Sequence, residues 1–270
     1  MPGFVPDRNV RAVTAMSVSC TAMDAEFDTL ATWTAQVAAD LTPADRIPAG
    51  CRGSGNPGAM HWLLDHLQPQ PGQTFLDAGA GIGGPAAFAA AETGVRPLLT
   101  EPQPGACRAA RSLFDLPALR ANSRLPIATG AIAGGWSLGV LSTMQDQPQF
   151  LAEIRRVLRP QARFGLIVYC AAHPGPLRQP PPEGNNFPTE RALGALLEHA
   201  SLRVLTSGWI EHFAALPAGW ADATHTVQAE LEHRHRNDPR WQRAEEQSSR
   251  MGALLTTGEV RGQLLVVQPA

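Results

Sequence analysis

A carboxylate followed by a glycine-rich turn is the clearest chemical feature of this sequence. Asp77 stands two residues before Gly79 in the string Phe75–Gly84, which reads FLDAGAGIGG. Gly79 and Gly81 permit backbone torsions and close approaches that a Cβ would block, so a ligand can lie directly against the backbone. A turn of this kind at the first crossover of an open α/β sheet is a usual place for a nucleotide.

Two carboxylates bear on which nucleotide this turn binds. The glycine spacing also fits the G-x-G-x-x-G pattern of dinucleotide sites. However, Asp77 would repel a pyrophosphate, whereas it would attract the ammonium group of an amino-acid ligand. Glu101 ends the next apolar run, where a carboxylate can accept hydrogen bonds from both ribose hydroxyls. Glu101 suits any adenosine cofactor, so only Asp77 discriminates between the two kinds of ligand.

Short apolar runs that alternate with amphipathic segments predict the elements that position these residues. Strands are predicted at Thr74–Ala78, Val95–Thr100, a short segment ending near Asn122, Gly135–Leu141, Phe164–Cys170, Leu202–Trp209 and Gly262–Val267. Helices are predicted at Asp24–Ala39, Gly58–Leu67, Gly84–Glu92, Gly105–Phe114, Gln149–Leu158, Thr189–His199 and through about 218–257, with loops at Pro48–Pro57 and 172–187. Strands separated by such helices predict a parallel, doubly wound α/β sheet.

The composition excludes several classes of protein. All 22 basic residues are arginine, so a Schiff-base lysine, a P-loop lysine and a kinase lysine are impossible. The net charge of −2 gives no electrostatic reason to expect a nucleic acid or an anionic membrane surface as a partner. Four cysteines without metal-ligand spacing, and the lack of a long apolar run, predict a reduced cytoplasmic protein.

Four segments in this order resemble the class I S-adenosylmethionine (SAM)-dependent methyltransferases, in particular the type 11 group. FLDAGAGIGG resembles the first motif of that family and LLTEP the second, while ANSRLPIATGAIAGGWSLGVL and EIRRVLRPQARFGL resemble the segments around its fourth and fifth strands. The resemblance covers roughly residues 73–170. It implies a Rossmann-like, mostly parallel sheet whose last strand is antiparallel, with N-terminal helices and a helical lid insertion before that strand.

The resemblance also implies a cofactor, SAM, with S-adenosylhomocysteine (SAH) as its product. The methionine portion would lie against Asp77, Ala78, Gly79, Ala80 and Gly81, the ribose at Glu101, and the adenine between Pro102, Gln103, Asn122 and Ser123, while Ser137 and Leu138 would border the sulfonium. The family usually has an acid at the place of Asn122, whose amide oxygen can still accept a hydrogen bond from the adenine amino group. The loop Arg52–Asn56 either closes on the cofactor's carboxylate through Arg52 or Ser54 or is a plain connector.

The acceptor is less well specified. Strand carboxyl ends face the ligand crevice, which makes His173, Glu211 and His212 the candidate bases, although each is also an ordinary surface residue type. Apolar surface for the acceptor is predicted at Trp209, Phe213, Trp220 and Met251, unless these residues only pack the lid. We therefore expect a small, largely apolar acceptor such as a polyketide, terpenoid or quinone-like metabolite, with no metal, nucleic acid or membrane involved, in a monomer or homodimer.

The predicted organisation is an N-terminal helical cap (1–50), a SAM-binding core (51–200) and the last strands with a lid at about 210–258 (201–270), all within one compact domain. Two other functions remain open at this point. An NAD(P)-dependent oxidoreductase would use the same glycine pattern, and a non-catalytic SAM-binding protein would keep the pocket without an accessible acceptor cavity.

Overall fold

The computed structural model describes residues 22–51, 56–213 and 215–270. Within them the helices are α1 (Ala22–Ala38), α2 (Pro43–Gly50), α3 (Pro57–Leu67), α4 (Gly84–Thr93), α5 (Pro104–Phe114), α6 (Gln147–Val157), α7 (Glu190–His199), α8 (Ala218–His235) and α9 (Pro239–Thr256). The strands are β1 (Thr74–Ala78), β2 (Arg96–Glu101), β3 (Ala118–Arg120), β4 (Ile132–Leu138), β5 (Leu158–Ala171), β6 (Leu202–Trp209) and β7 (Val260–Pro269). Short 3-10 helices occupy Leu141–Thr143 and Ile210–Phe213.

The seven strands form one sheet in the order β3-β2-β1-β4-β5-β7-β6. The first five strands pair in parallel, and β7 runs antiparallel to both of its neighbours, β5 and β6. The order reverses between β1 and β4, so the carboxyl ends of these strands open a crevice at the point where open α/β sheets bind ligands. The predicted doubly wound sheet with an antiparallel last strand is confirmed.

Helices cover both faces of the sheet, as the near-continuous apolar strands require. On one face, residues of α3 and α4 pack with Phe75 and Trp136. On the opposite face, α6 and α7 pack with Leu166 and Val168. Because both faces of the central strands are buried, their ends are the part of the sheet where a ligand can approach polar backbone groups.

The N-terminal helices and the helical insertion before β7 pack on each other. Buried residues of α1, α2, α5, α8 and α9 form one cluster, which also contains Ile82 of the glycine turn. Trp33 of α1 stacks on His235 of α8 with ring centroids 3.7 Å apart, and the guanidinium of Arg240 lies over the same indole. The glycine turn is therefore in contact with the cluster that joins the cap to the insertion.

Several elements differ from the prediction, among them α2, β4 and β5. Helix α2 was not predicted, because its sequence PADRIPAG contains strand and turn formers, but Thr42 caps it by accepting from the Asp45 amide and a proline stands in its first turn. Strand β4 starts three residues earlier than predicted, at Ile132, and β5 starts at Leu158 instead of Phe164. The early part of β5 is exposed at Arg159–Gln161, so it lacks the apolar signal of a buried strand.

Candidate cofactor and acceptor site

The glycine turn after β1 is closed on one side and open on the other. Gly79 has a φ of 79°, and a Cβ at this position would collide with the side chain of Val140. Gly81 has a φ of 54° and open space where a Cβ would lie. The amides of Gly79 and Ala80 both donate to the Thr100 carbonyl, at 2.8 and 3.1 Å, which fixes the turn against β2. The turn therefore presents its open side at Gly81.

Asp77 lies beneath this turn and is almost completely buried, with 1% of its surface exposed. Its Oδ2 atom has no hydrogen-bond partner among the residues that the structure describes, and the same holds for Nε1 of Trp136, the residue opposite it on β4. Burial raises the pKa of Asp77 to about 7; the nearby Trp136 indole lowers this pKa and the Glu101 carboxylate raises it. An unpaired buried carboxylate of this kind is unfavourable alone and is stabilised by a cation.

Glu101 connects the two turns at the ends of β1 and β2. Its Oε2 accepts a hydrogen bond from the Gly81 amide at 2.9 Å, and its Oε1 accepts from the Gln103 amide at 3.1 Å. The side chain is buried, and a carboxylate has about four acceptor positions. Glu101 thus holds the glycine turn and the Pro102–Gln103 turn in a fixed relation to each other.

The chain leaves β3 next to these turns. The Ala121 amide donates to the Glu101 carbonyl at 3.1 Å, and the Arg120 side chain donates to the Pro102 carbonyl at 3.1 Å. Asn122 is exposed, and its side-chain oxygen accepts from the Arg124 amide at 3.3 Å. The predicted ribose and adenine residues thus follow one another along the strand ends β2 and β3.

The predicted sulfonium-bordering residues on β4 are buried within the sheet. The Ser137 hydroxyl donates to the Ala78 carbonyl at 2.7 Å, so it ties β4 to the residue just before the glycine turn. Leu138 packs among the residues of α3 and α4, with 3% of its surface exposed. Ser137 thus braces the residue just before the turn, while both side chains are largely enclosed.

The end of α2 contacts the start of α4, beside the glycine turn. The backbones of Gly50 and Cys51 lie so close to Gly84 that a Cβ on Gly84 would overlap them. The amide of Gly105, at the start of α5, donates to Asp28 of α1. The predicted contacts of Arg52 and Ser54 fall on residues 52–55, which lie outside the described residues, as does the N-terminal segment 1–21 of the predicted cap.

The three candidate bases are all exposed at the surface. The side chains of His173 and His212 are exposed to solvent, and Glu211 forms an ion pair with Arg261. Hydrogen bonding to that guanidinium lowers the pKa of Glu211, which makes it a weaker proton acceptor. The structure therefore does not bring these residues together in a buried pocket.

The predicted apolar residues divide between the two faces of the sheet. Phe213 and Trp220 pack against the α3 and α4 cluster, and Trp220 meets Phe88 edge-on with centroids 5.9 Å apart. Trp209 pairs in register with Gln263, which faces α7, so it lies on the opposite face under the Arg261 guanidinium. Half-buried Met251 lies on α9. Phe213 and Trp220 thus contact the face that carries Asp77, and Trp209 lies on the other face.

Sequence reasoning missed Trp136. Trp136 has no motif of its own, and only the pairing of β4 with β1 places it opposite Asp77. Knowledge of the strand order is the signal that would have found it.

Comparisons with known proteins agree with this geometry. Residues 76–166 match the family model described as "Methyltransferase domain". No match was found among curated protein sequences. The solved structures that resemble the chain include the [4+2]-cyclase SpnF, with a TM-score of 0.61 and 17% identity over 77% of this chain and 78% of that one.

Two further structural neighbours, both methyltransferases by name, show the same likeness. Phosphoethanolamine N-methyltransferase 2 of Haemonchus contortus, solved with SAM, has a TM-score of 0.62 and 14% identity over 80% of this chain, which spans about half (53%) of that protein. Geranyl diphosphate C-methyltransferase of Streptomyces coelicolor A3(2), solved with SAH, Mg²⁺ and a geranyl thiolodiphosphate, has a TM-score of 0.54 and 15% identity over 79% of this chain and 76% of that one. At identities this low, the three likenesses establish the fold alone.

The strand order and the carboxylate-glycine edge are those of a Rossmann-like fold, which the solved neighbours share. More particularly, residues 76–166 are a SAM-dependent methyltransferase domain of the type 11 group. None of the described helices is both long and apolar enough to cross a membrane.

Proposed function

We propose that this protein transfers a methyl group from SAM to a small, largely apolar metabolite. The observation that carries the proposal is the buried Asp77 carboxylate, whose Oδ2 atom has no partner among the described residues, beneath a turn that is open at Gly81. The amino-acid head of SAM carries the ammonium that such a carboxylate favours, whereas a pyrophosphate would be repelled.

The residues present fit SAM from end to end. Asp77 would hold the ammonium, the open side of the turn at Gly81 would receive the methionine chain, and Glu101 would accept from the ribose. The base would then lie beside Asn122, because β3 is the strand next to β2 on the side away from β1. When bound, SAM supplies a methyl group already activated on a sulfonium.

The protein's own contribution is to position the acceptor and to exclude water, since an in-line displacement needs little further chemistry from side chains. The turn that receives the cofactor is braced by Glu101, by Ser137 and by the α2 end at Gly50–Cys51. We propose that the insertion α8–α9 forms the lid, with Phe213 and Trp220 as its apolar contacts on the face of Asp77.

Three hydrogen bonds hold the proline-rich loop 172–187 beside the place predicted for the methyl acceptor. Gln147 donates to the Asn186 carbonyl at 2.8 Å, the Arg178 amide donates to Glu259 at 2.6 Å, and the Glu183 amide donates to Gln247 of α9 at 2.7 Å. These bonds favour a wall of fixed shape between β5 and the lid. A wall of fixed shape favours a small acceptor over a polymer.

Incubation with methyl-labelled SAM and a panel of small metabolites tests the proposal. Apolar phenols, terpenoids and quinone precursors form one arm, and polar amines of similar size form the other. The wild type is expected to give labelled product from the apolar arm. Asp77→Asn should lose this product, and Asp65→Asn, an exposed control on α3, should retain it. Labelling confined to the polar arm would refute the acceptor class.

A protein that binds SAM without transferring its methyl group is the second candidate. Two observations favour it: the three predicted bases are exposed, and one neighbour of the same fold is described as a [4+2]-cyclase. Binding of SAH together with no transfer to either arm would support this candidate over the first.

A further inference from the structure

The connection between β3 and β4, residues 121–131, has no helix or strand of its own. Its start carries Asn122 and Ser123, and its only deeply buried side chain is Leu125, which packs in the cluster of α6 and α7. A segment without a hydrogen-bonded ladder keeps its shape only if side chains satisfy its backbone groups. Those side chains come from α6.

Glu153 and Arg156 hold this connection from one side. Oε2 of Glu153 accepts from the Leu125 amide at 2.9 Å, and Nη2 of Arg156 donates to the Leu125 carbonyl at 3.0 Å. Nη1 of Arg156 donates to the Ile127 carbonyl at 2.8 Å, and the Arg156 carbonyl accepts from the Gly130 amide at 2.9 Å. The two side chains also bond each other, at 2.7 and 2.8 Å.

The pair differs from an ordinary surface ion pair. An exposed pair contributes little, but here Glu153 is 13% exposed and both partners also bond the backbone of the same segment. The planar guanidinium presents its donors in a fixed fork, so a single Arg156 can fix two carbonyls two residues apart. The path of the chain just after Asn122 is therefore set from α6, and among the residues that the structure describes the Asn122 side chain bonds within its own turn.

We propose that Glu153 and Arg156 are positioning residues that set the selectivity of the site for adenine, acting through the turn at Asn122. The inference rests on the proposed function, which requires a nucleoside along β1, β2 and β3. With the ribose at Glu101 and the amino-acid head at β1, the base extends toward β3 and meets Asn122. Loss of the α6 contacts releases that turn while the head and ribose contacts stay in place.

Calorimetric binding of two ligands that differ only in the base tests this inference. SAH carries the 6-amino group, and S-inosylhomocysteine carries a 6-oxo group that cannot donate to the Asn122 amide oxygen. Wild-type protein is expected to prefer SAH by about tenfold, the value of one hydrogen bond of about 1.4 kcal/mol. In Arg156→Gln the preference should fall to about twofold, with most of the loss on SAH.

Arg163→Gln is the matched control. Arg163 also donates to a backbone carbonyl, that of His66 at 2.8 Å, but at the end of α3 and far along the chain from the β3 turn. This variant should keep the tenfold preference. Glu153→Gln retains an acceptor for the Leu125 amide but lacks the charge that pairs with Arg156. It should give an intermediate preference for SAH, and it replaces Arg156→Gln in the test if that variant does not fold.

Each other result overturns the inference. Folded Arg156→Gln or Glu153→Gln with an undiminished preference would show that the turn is positioned elsewhere. An equal loss for both ligands, or a wild type that does not discriminate between them, would show that the base is not selected through this turn. A wild type that binds neither ligand would refute the proposed function itself, which distinguishes the two failures.

Discussion

The two halves of the strand-end crevice differ in how their polar groups are held. On the half formed by β1, β2 and β3, the carboxylates of Asp77 and Glu101 are buried, and Glu101 bonds two backbone amides. On the half formed by β5, β6 and β7, Glu211 is exposed and neutralised by Arg261. Preorganised polar groups in a water-poor site act strongly on a ligand, whereas exposed ion pairs do not.

This difference indicates a division of labour. We propose that the first half holds one charged ligand in one position, while the fixed loop 172–187 and the apolar residues Phe213 and Trp220 shape the place for the acceptor. Changes on the first half should therefore have large and specific effects, and charge changes on the second half should have small ones.

Asp77→Asn should give the largest effect, on stability. In the free protein burial raises the pKa of Asp77 to about 7, whereas an unfolded chain has a value of about 4. Between these values the folded state holds the proton and the unfolded state has lost it, so the free energy of unfolding falls as the pH rises. Denaturant unfolding should show the wild type losing about 3 kcal/mol between pH 5 and pH 8 relative to Asp77→Asn.

The exposed Asp65→Asn is the control for that experiment. Its pH profile should run parallel to the wild type within about 0.5 kcal/mol. If the profile of Asp77→Asn also runs parallel to the wild type, the buried carboxylate does not titrate in this pH range and the contrast between the two halves is lost.

Gly79→Ala should produce the next largest effect, on cofactor affinity. A Cβ at Gly79 would collide with Val140 and would occupy a backbone conformation with φ of 79°. We expect SAH affinity to fall about 100-fold, or about 2.7 kcal/mol, because the turn must move to relieve the contact. Gly72→Ala, at the opposite end of β1, has a similar φ of 75° with open space around it, so it shares the strain but should bind SAH normally. Equal binding losses in both variants would count against a specific role of the turn.

Glu101→Ala should weaken SAH binding by about 1.5–3 kcal/mol, the usual effect of removing hydrogen bonds to a charged group. The loss includes the bracing of Gly81 and Gln103 as well as direct contacts to the ribose. Calorimetry measures this loss of SAH binding free energy, and Glu198→Ala, on the exposed surface of α7, is the control. An unchanged dissociation constant would mean that the ribose is held elsewhere.

Glu211→Gln should have the smallest effect. Because the carboxylate is exposed and paired with Arg261, we expect methyl-transfer rates within about twofold of the wild type and unchanged SAH affinity. A rate loss of more than about tenfold with intact SAH binding would identify Glu211 as a base after all and remove the contrast between the halves.

How well each half could be predicted depends on how far apart along the sequence its contacting residues lie. Asp77, Gly79 and Gly81 act within one short segment, so their types and spacing in the sequence already indicate their arrangement, and the confirmed sheet places Glu101 beside them. Trp209 and Phe213 are only four residues apart, yet they lie on opposite faces because β6 ends between them. No local pattern records that change of face, nor the pairing that sets Trp136 opposite Asp77.

Calorimetric titration of the wild type with SAH and with NAD tests the central role of Asp77 most directly. Run near pH 6.5 in two buffers of different ionisation enthalpy, it should show one SAH site, no NAD binding, and release of a proton as the ammonium head stabilises the Asp77 carboxylate. The proton release should disappear at pH 8.5 and in Asp77→Asn. Tight NAD binding without SAH binding would contradict this role and the methyltransferase function together.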